Sequence, residues 1–313
     1  MDEKIIRGML LGLATGDALG VPVEFESRKT LQSDPVTGMR GGGSWGQEAG
    51  TWSDDTSLTV AAMESISRRG KIDFADVAEN FLRWYENDAF TATGKRFDIG
   101  NTTRSAIVRF SRRILPPTKC GATEDNSNGN GSLMRILPAT LYLYGKRGTI
   151  GGDELKIIHE FSALTHGHII SRMACGIYSL IAAQILDGKN LSDAFKSGMD
   201  DAKKFYGGDE SFKNFSRLCD DNFAALPENK ISAAGYVVCT LEAALWCLLN
   251  TDDYKSLALK AVNLGKDTDT TAAVAGGLAG MIYGVEAIPS EWLDTLKRRD
   301  YLEKICADFA AAL

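Results

Sequence analysis

Apolar residues recur along this chain at the spacing of a helix and hardly anywhere at the alternation of a strand. Ile5, Met9 and Leu13 fall at i+4, as do Leu58, Ala62 and Ile66 and later Leu241, Leu245 and Leu249. Each set is an apolar stripe on one helix face. The same patterning predicts helices near 73–87, 100–114, 132–145, 154–163, 168–187, 191–205, 252–264, 268–283 and 301–312. The reading is an all-α fold. No Pro-rich or Ser-rich linker and no internal repeat divides the chain, so residues 1–313 are read as a single domain.

Two of these helices carry glycine rows. Gly8, Gly12, Gly16 and Gly20 share one i+4 row, and Gly276, Gly280 and Gly284 form another. A glycine inside a helix costs about 1 kcal/mol relative to alanine, so such rows imply that a second backbone comes close. Three irregular stretches, 33–50, 116–131 and 206–230, interrupt the helices. Loops this long are uncommon in a compact domain unless they line or cover a site, and the active site is expected between them.

Composition narrows the partner more than the fold. The net charge is −6 and no run of Lys or Arg builds a basic stripe, which argues against nucleic acid. The six cysteines, at 120, 175, 219, 239, 247 and 306, form no C-x-x-C pair, a usage that suits reduced thiols in cytoplasm. The opening "MDEKIIRGMLLGLATG" fits neither a signal nor a transit peptide. "YVVCTLEAALWCLL" contains Glu242 and is short of the roughly 20 apolar residues of a span, so no membrane insertion is expected. The partner is expected to be a small molecule or another protein.

The candidate chemistry lies in two acidic clusters. "TWSDDTSLT" (51–59) sets Ser53, Asp54, Asp55 and Thr56 before an apolar helix, and "GKDTDTTAAVAGGLAG" repeats the composition with Asp267, Asp269, Thr270 and Thr271. One short polar side chain is enough to cap a helix, and here each helix start carries two carboxylates. If the two starts meet, like charges that close cannot all stay ionised without cations. Hard oxygen donors, with hydroxyls from Ser53 and Thr270, suit Mg²⁺ or Mn²⁺ better than zinc, and two such ions would balance four charges.

At these residues the chain resembles the ADP-ribosylglycohydrolase family, which includes the dinitrogenase-reductase-activating glycohydrolases. The motifs are "GLATGDALGVPVEF", "GTWSDDTSLT", "FDIGNTT", "NGNGSLMRILP", "THGH", "GYVVCTLEAALW" and "KDTDTTAAVAGGLAGMIYG", in order from about residue 5 to about residue 310. The resemblance implies a compact, orthogonal multi-helix all-α domain with a dinuclear magnesium site that removes ADP-ribose from a modified side chain. By family position the metal ligands are Ser53, Asp54, Asp55, Asp267, Asp269 and Thr270, with Asp55 or Asp269 accepting a proton from water.

Glu24 matches a family glutamate beside the metals and the scissile bond; without the resemblance it reads as a surface residue after a turn. Asp17 reads as a structural anchor. Asp98 resembles the arginine-directed, nitrogenase-regulating branch, where a carboxylate could pair with a guanidinium; the alternative is a helix cap. In "NSNGNGSLMR" the resemblance makes Ser127, Asn128, Gly129 and Gly131 contacts of ADP-ribose, where spacing alone gives an Asn-Gly turn.

By the same likeness His166 is a ribose or leaving-group contact and His168 a capping or surface residue. An H-x-H zinc site is the rival, with only His159 left to complete it. Tyr236 matches a tyrosine near the nucleotide, against the reading of a core tyrosine. Trp45 and Trp52 read as loop pins without a chemical role. Two departures from the family pattern stand out: Ser53 where Thr is common, and Lys266 where Gly is frequent, the latter expected to point to solvent.

The expected activity is magnesium-dependent hydrolysis of mono-ADP-ribose from arginine. The alternatives are serine-linked ADP-ribose or O-acetyl-ADP-ribose as substrate, or a non-catalytic ADP-ribose-binding or immunity protein. The partner is thus an ADP-ribosylated protein or a small ADP-ribose derivative.

Overall fold

The computed structural model describes residues 1–313. Its helices are α1 (Glu3–Gly20), α2 (Arg28–Ser33), α3 (Asp54–Arg69), α4 (Phe74–Asn87), α5 (Asn101–Ser111), α6 (Leu137–Arg147) and α7 (Gly152–Ser162). They continue with α8 (Ile169–Leu186), α9 (Leu191–Tyr206), α10 (Val237–Leu249), α11 (Tyr254–Val262), α12 (Thr268–Tyr283), α13 (Ser290–Thr295) and α14 (Arg299–Ala312). Short 3-10 turns join them, and the only β pairing is three isolated bridges.

The centre of the fold is the antiparallel pair α1 and α12, and the glycine rows are why they pair so closely. A Cβ on Gly8 or Gly280 would overlap the other's carbonyl, Gly12 faces Gly276 in the same way, and Gly16 meets the backbone of Ala272. At the far end Gly20 lies against the backbone of Thr268 and Asp269, and Thr268 donates its hydroxyl to the Gly20 carbonyl at 2.8 Å. The end of α1 is thereby fixed to the start of α12. Tyr254 of α11 closes over the seam, donating its hydroxyl to the Gly12 carbonyl at 2.6 Å.

Most of the helices expected from periodicity form within two or three residues of their expected ends. The segment 132–145 does not form one helix. Residues Leu133–Arg135 make a 3-10 turn and α6 begins only at Leu137, because Pro138 has no N–H to donate and restricts the residue before it. The stretch 206–230 is not an open loop either. It holds the 3-10 run Glu210–Cys219, which buries Phe212, Phe215 and Leu218. Two helices also have the length and apolarity of a membrane span: Glu3–Val23, which takes in α1, and α8. They are 89% and 72% buried within the fold, so their apolar faces serve the core. All six cysteines are unpaired.

The backbone at Lys266 explains why glycine is frequent at this position. Its φ is 67°, a left-handed conformation that glycine adopts freely and other residues at a cost of about 1–2 kcal/mol. The side chain is exposed, with Nζ 3.5 Å from the Ser232 hydroxyl. Lys266→Gly is accordingly expected to raise stability by about 0.5–1 kcal/mol in urea unfolding. An unchanged or lower midpoint would mean that the lysine side chain contributes more than its backbone strain costs.

Candidate active site

The two acidic helix starts meet. Ser53 is the N-cap of α3, its Oγ accepting the Asp55 N–H at 3.3 Å. Asp267 occupies the N-cap position of α12, yet its side chain caps nothing. The helices touch where Thr270 of α12 donates its hydroxyl to Asp55 Oδ2 at 3.3 Å, an oxygen that also receives the Ser53 hydroxyl at 3.2 Å.

Asp17 of α1 completes the junction. Its carboxylate accepts the backbone N–H groups of Ser53 and Thr56 at 2.9 and 3.0 Å and the Thr56 hydroxyl at 2.6 Å. The anchoring role read from the sequence is therefore present. Asp17 also approaches the charge cluster itself: its carboxylate oxygens come within 4.8 Å of those of Asp55 and Asp269, and a second group of the same compactness joins Glu24, Asp98 and Asp269. Asp269 belongs to both.

Above this floor opens a cleft of about 310 Å³. Glu24, Asp54, Asp267 and Thr270 form its acidic side, Asp98 through Thr103 another wall, and Gly129, Asn130, Gly131 and His166 a third. Glu24 is 6% exposed, so the surface reading fails. The indole N–H of Trp45 bonds its carboxylate, and the Trp45 ring lies 6.2 Å from Phe25 and 5.7 Å from Phe97. Trp45 thus has a role that the sequence reading denied it. Trp52 is a pin as expected, buried and donating to the Lys297 carbonyl at 2.9 Å. Asp98 is not a cap, since Gly100 holds the N-cap position of α5.

The predicted nucleotide loop is divided. Gly129 and Gly131 line the cleft, and a Cβ on Gly131 would crowd the His166 ring and the Thr103 hydroxyl. Ser127 and Asn128 stand outside the lining. Asn128 is structural, its amide accepting from Ser171 at 3.1 Å and donating to the Asp125 carbonyl at 3.0 Å. Tyr236 is 38% exposed beside the lining residue Gly235, neither in the core nor on the wall.

Asn130, which the sequence reading passed over between its two glycines, donates to Asp267 Oδ2 at 2.8 Å and to Thr240 at 2.9 Å. Asn101, Thr102 and Thr103, also unremarked, follow Asp98 after Ile99 and Gly100 in "FDIGNTT"; a run of polar side chains at a helix start was the available signal. The stretch 206–230 contributes nothing to the cleft. The walls come instead from 98–103, 129–131, the Glu24–Phe25 segment and the start of α12.

Electrostatics follow from this crowding. Burial first, and then neighbouring carboxylates, push Asp54, Asp55 and Asp269 well above the usual carboxylate range. Glu24 rises to about 9, through burial and then the charge of Asp98, against the opposing Trp45 hydrogen bond. Asp98 rises to about 6, through burial and then Asp267. Three buried oxygens, Asp55 Oδ1, Asp267 Oδ1 and Asp269 Oδ2, have no hydrogen-bond partner. Buried carboxylate oxygens left unpaired are costly, and all-oxygen donors with two hydroxyls fit a hard divalent cation. Neither acidic group contains a histidine. His168 spends its Nδ1 on capping α8, accepting the Ile170 N–H at 3.3 Å, so the H-x-H zinc arrangement is absent.

A helical scaffold that gathers acidic helix starts beneath an open polar cleft has the build of a hydrolytic enzyme. The family model for ADP-ribosylglycohydrolase matches residues 2–313, and the chain belongs to that family. It is 33% identical over 309 residues to the "ADP-ribosylarginine hydrolase Tri1" of Pseudomonas putida, covering 96% of this chain and 76% of that one. It is 31% identical over 291 residues to the "ADP-ribosyl-[dinitrogen reductase] glycohydrolase" of Rhodospirillum rubrum, covering 92% and 89%. A solved "ADP-ribosylglycohydrolase-related protein complex" aligns with a TM-score of 0.82 at 32% identity, over 99% of this chain and 98% of its own.

Proposed function

We propose that the chain, as one domain over residues 1–313 and in cytoplasm, is a magnesium-dependent hydrolase that removes mono-ADP-ribose from arginine side chains. The bond cleaved is that between the ribose anomeric carbon and the guanidinium nitrogen. The observation that carries this reading is the meeting of Asp54 and Asp55 with Asp267 and Asp269 beneath Glu24 and Asp98. The two relatives named above, whose titles specify ADP-ribosylarginine and ADP-ribosylated dinitrogen reductase, support the substrate class.

Ser53, Asp54, Asp55, Asp267, Asp269 and Thr270 would hold Mg²⁺ or Mn²⁺. Such ions would neutralise the buried charge, orient ribose hydroxyls and acidify a bound water. The protein's own groups do the rest. Asp55 or Asp269 takes the proton from the attacking water. Glu24 lies where positive charge develops on the ribose in an oxocarbenium-like transition state, which its carboxyl stabilises. Asp98, with the polar start of α5 behind it, pairs with the guanidinium and orients it. Gly129 and Gly131 let backbone N–H groups approach the diphosphate, and His166 contacts the bound sugar or leaving group. Ser127, Asn128 and Tyr236 would reach the nucleotide only from outside the cleft wall.

The experiment is release of free ADP-ribose from arginine-linked and serine-linked ADP-ribosyl peptides, with magnesium and then with chelator. Expected is magnesium-dependent release from the arginine peptide, at least about a hundredfold faster than from the serine peptide, the cost of leaving Asp98 unpaired at roughly 3 kcal/mol. Release confined to the serine peptide or to O-acetyl-ADP-ribose would replace the leaving group assigned here. Tight ADP-ribose binding without release from any of them would make the chain a binding protein.

A further inference from the structure

One buried cation next to the cleft has no acidic partner. Arg135 is fully buried, with its guanidinium between the rings of Phe81 and Phe161 at 4.6 and 5.4 Å. Its Nε has no hydrogen-bond partner, and its contacts to the Phe161 carbonyl are long, at 3.4 and 3.5 Å. Its one short bond is from Nη2 to the Thr165 hydroxyl at 2.7 Å. That hydroxyl lies 2.8 Å from His166 Nδ1.

A guanidinium only donates, so the Thr165 oxygen is the acceptor in the first contact. The threonine still has one proton to give, and it is fully buried, where an unbonded O–H is costly. His166 Nδ1 is the acceptor within reach, so Nδ1 carries no proton. The other nitrogen of the neutral ring then does. Burial, and then the charge of Arg135, hold the ring neutral, with its pKa pushed down to about 3. The Nε2 edge faces Gly129 and Gly131 on the cleft wall.

We infer that Arg135 and Thr165 are positioning residues that lock His166 as the Nε2–H tautomer, making it a fixed hydrogen-bond donor aimed into the cleft. The carboxylates of the cleft floor, once ionised, only accept. A donor on the opposite wall therefore suits an acceptor oxygen of the substrate, on the diphosphate or the ribose. The identity of that oxygen rests on the hydrolase reading above; the tautomer does not.

The test uses the full chain labelled with ¹⁵N and a long-range ¹H–¹⁵N correlation of its three histidines, with His166 assigned from the spectrum of His166→Gln. Wild type is expected to show the neutral Nε2–H pattern for His166. Thr165→Val should abolish that pattern in favour of Nδ1–H or an average, and lower kcat/KM on the arginine-linked peptide about tenfold, the loss of one aligned hydrogen bond. Thr165→Ser should restore both. An Nδ1–H pattern in wild type, or an unchanged tautomer in Thr165→Val, would overturn the inference. Should the valine variant fail to fold, Thr165→Ala takes its place, and an unchanged His166 pattern there would overturn the inference in the same way. Should no peptide be turned over, the spectra decide independently of activity.

Discussion

Asp269→Asn is expected to lower kcat/KM for ADP-ribosyl-arginine cleavage by at least about a thousandfold while raising the thermal stability of the metal-free protein. The two effects have one cause. Asp269 belongs to both acidic groups, and its Oδ2 is buried without a partner while Oδ1 receives only the Thr270 N–H at 2.8 Å. Loss of this carboxylate removes the one charge common to both groups, and with it several kcal/mol of transition-state stabilisation.

Without cations the same carboxylate is a liability, held among like charges in a place water does not reach. The amide removes that repulsion, for a gain of about 1–2 kcal/mol. Melting curves with magnesium and with chelator separate the states. Wild type should gain several degrees from magnesium, and the variant should start higher and gain little. A variant that keeps wild-type turnover would remove Asp269 from the site, and a wild type indifferent to magnesium would remove the cation.

The second large effect lies in the core. Gly280→Ala is expected to cost about 3 kcal/mol or more and to lower Tm by roughly 5–10 °C. The new Cβ would overlap the Gly8 carbonyl, which is backbone in the middle of a helix and has no flexible end to swing away. Gly208→Ala is the control, since nothing lies within 4 Å of a Cβ there, and its Tm should move by less than about 1 °C. An equal shift in both would mean that the loss does not come from the seam, since alanine is by itself the better helix residue. Gly20→Ala should act at the other end of the seam, displacing the backbone of Asp269 and reducing turnover more than stability.

This arrangement accounts for what could be read without coordinates. Helices with a long apolar stripe announce themselves by period, and the glycine rows did so because glycine is a poor helix residue with one good reason to be there. The six-residue helices α2 and α13 are too short to show a period, and Pro138 alone divides 132–145. Both acidic clusters were legible because paired carboxylates exceed what capping needs. Trp45 and Asn130 were not, because their importance lies in Glu24 and Asp267, partners 21 and 137 residues away along the chain. Ser127 and Asn128 show the converse: a loop composition that suits phosphate does not say which of its residues face inward.

Glu24 and Asp267 lie on segments that are themselves clasped together. The Phe25 N–H bonds the Lys266 carbonyl at 2.6 Å, and the Lys266 N–H bonds the Glu26 carbonyl at 2.7 Å, with both Phe25 and Lys266 held at positive φ. A two-way clasp between strained residues leaves neither side free to swing alone. The acidic side of the cleft therefore moves as one jaw or not at all. Any change in the width of the cleft then falls to its other walls, residues 98–103 and 129–131.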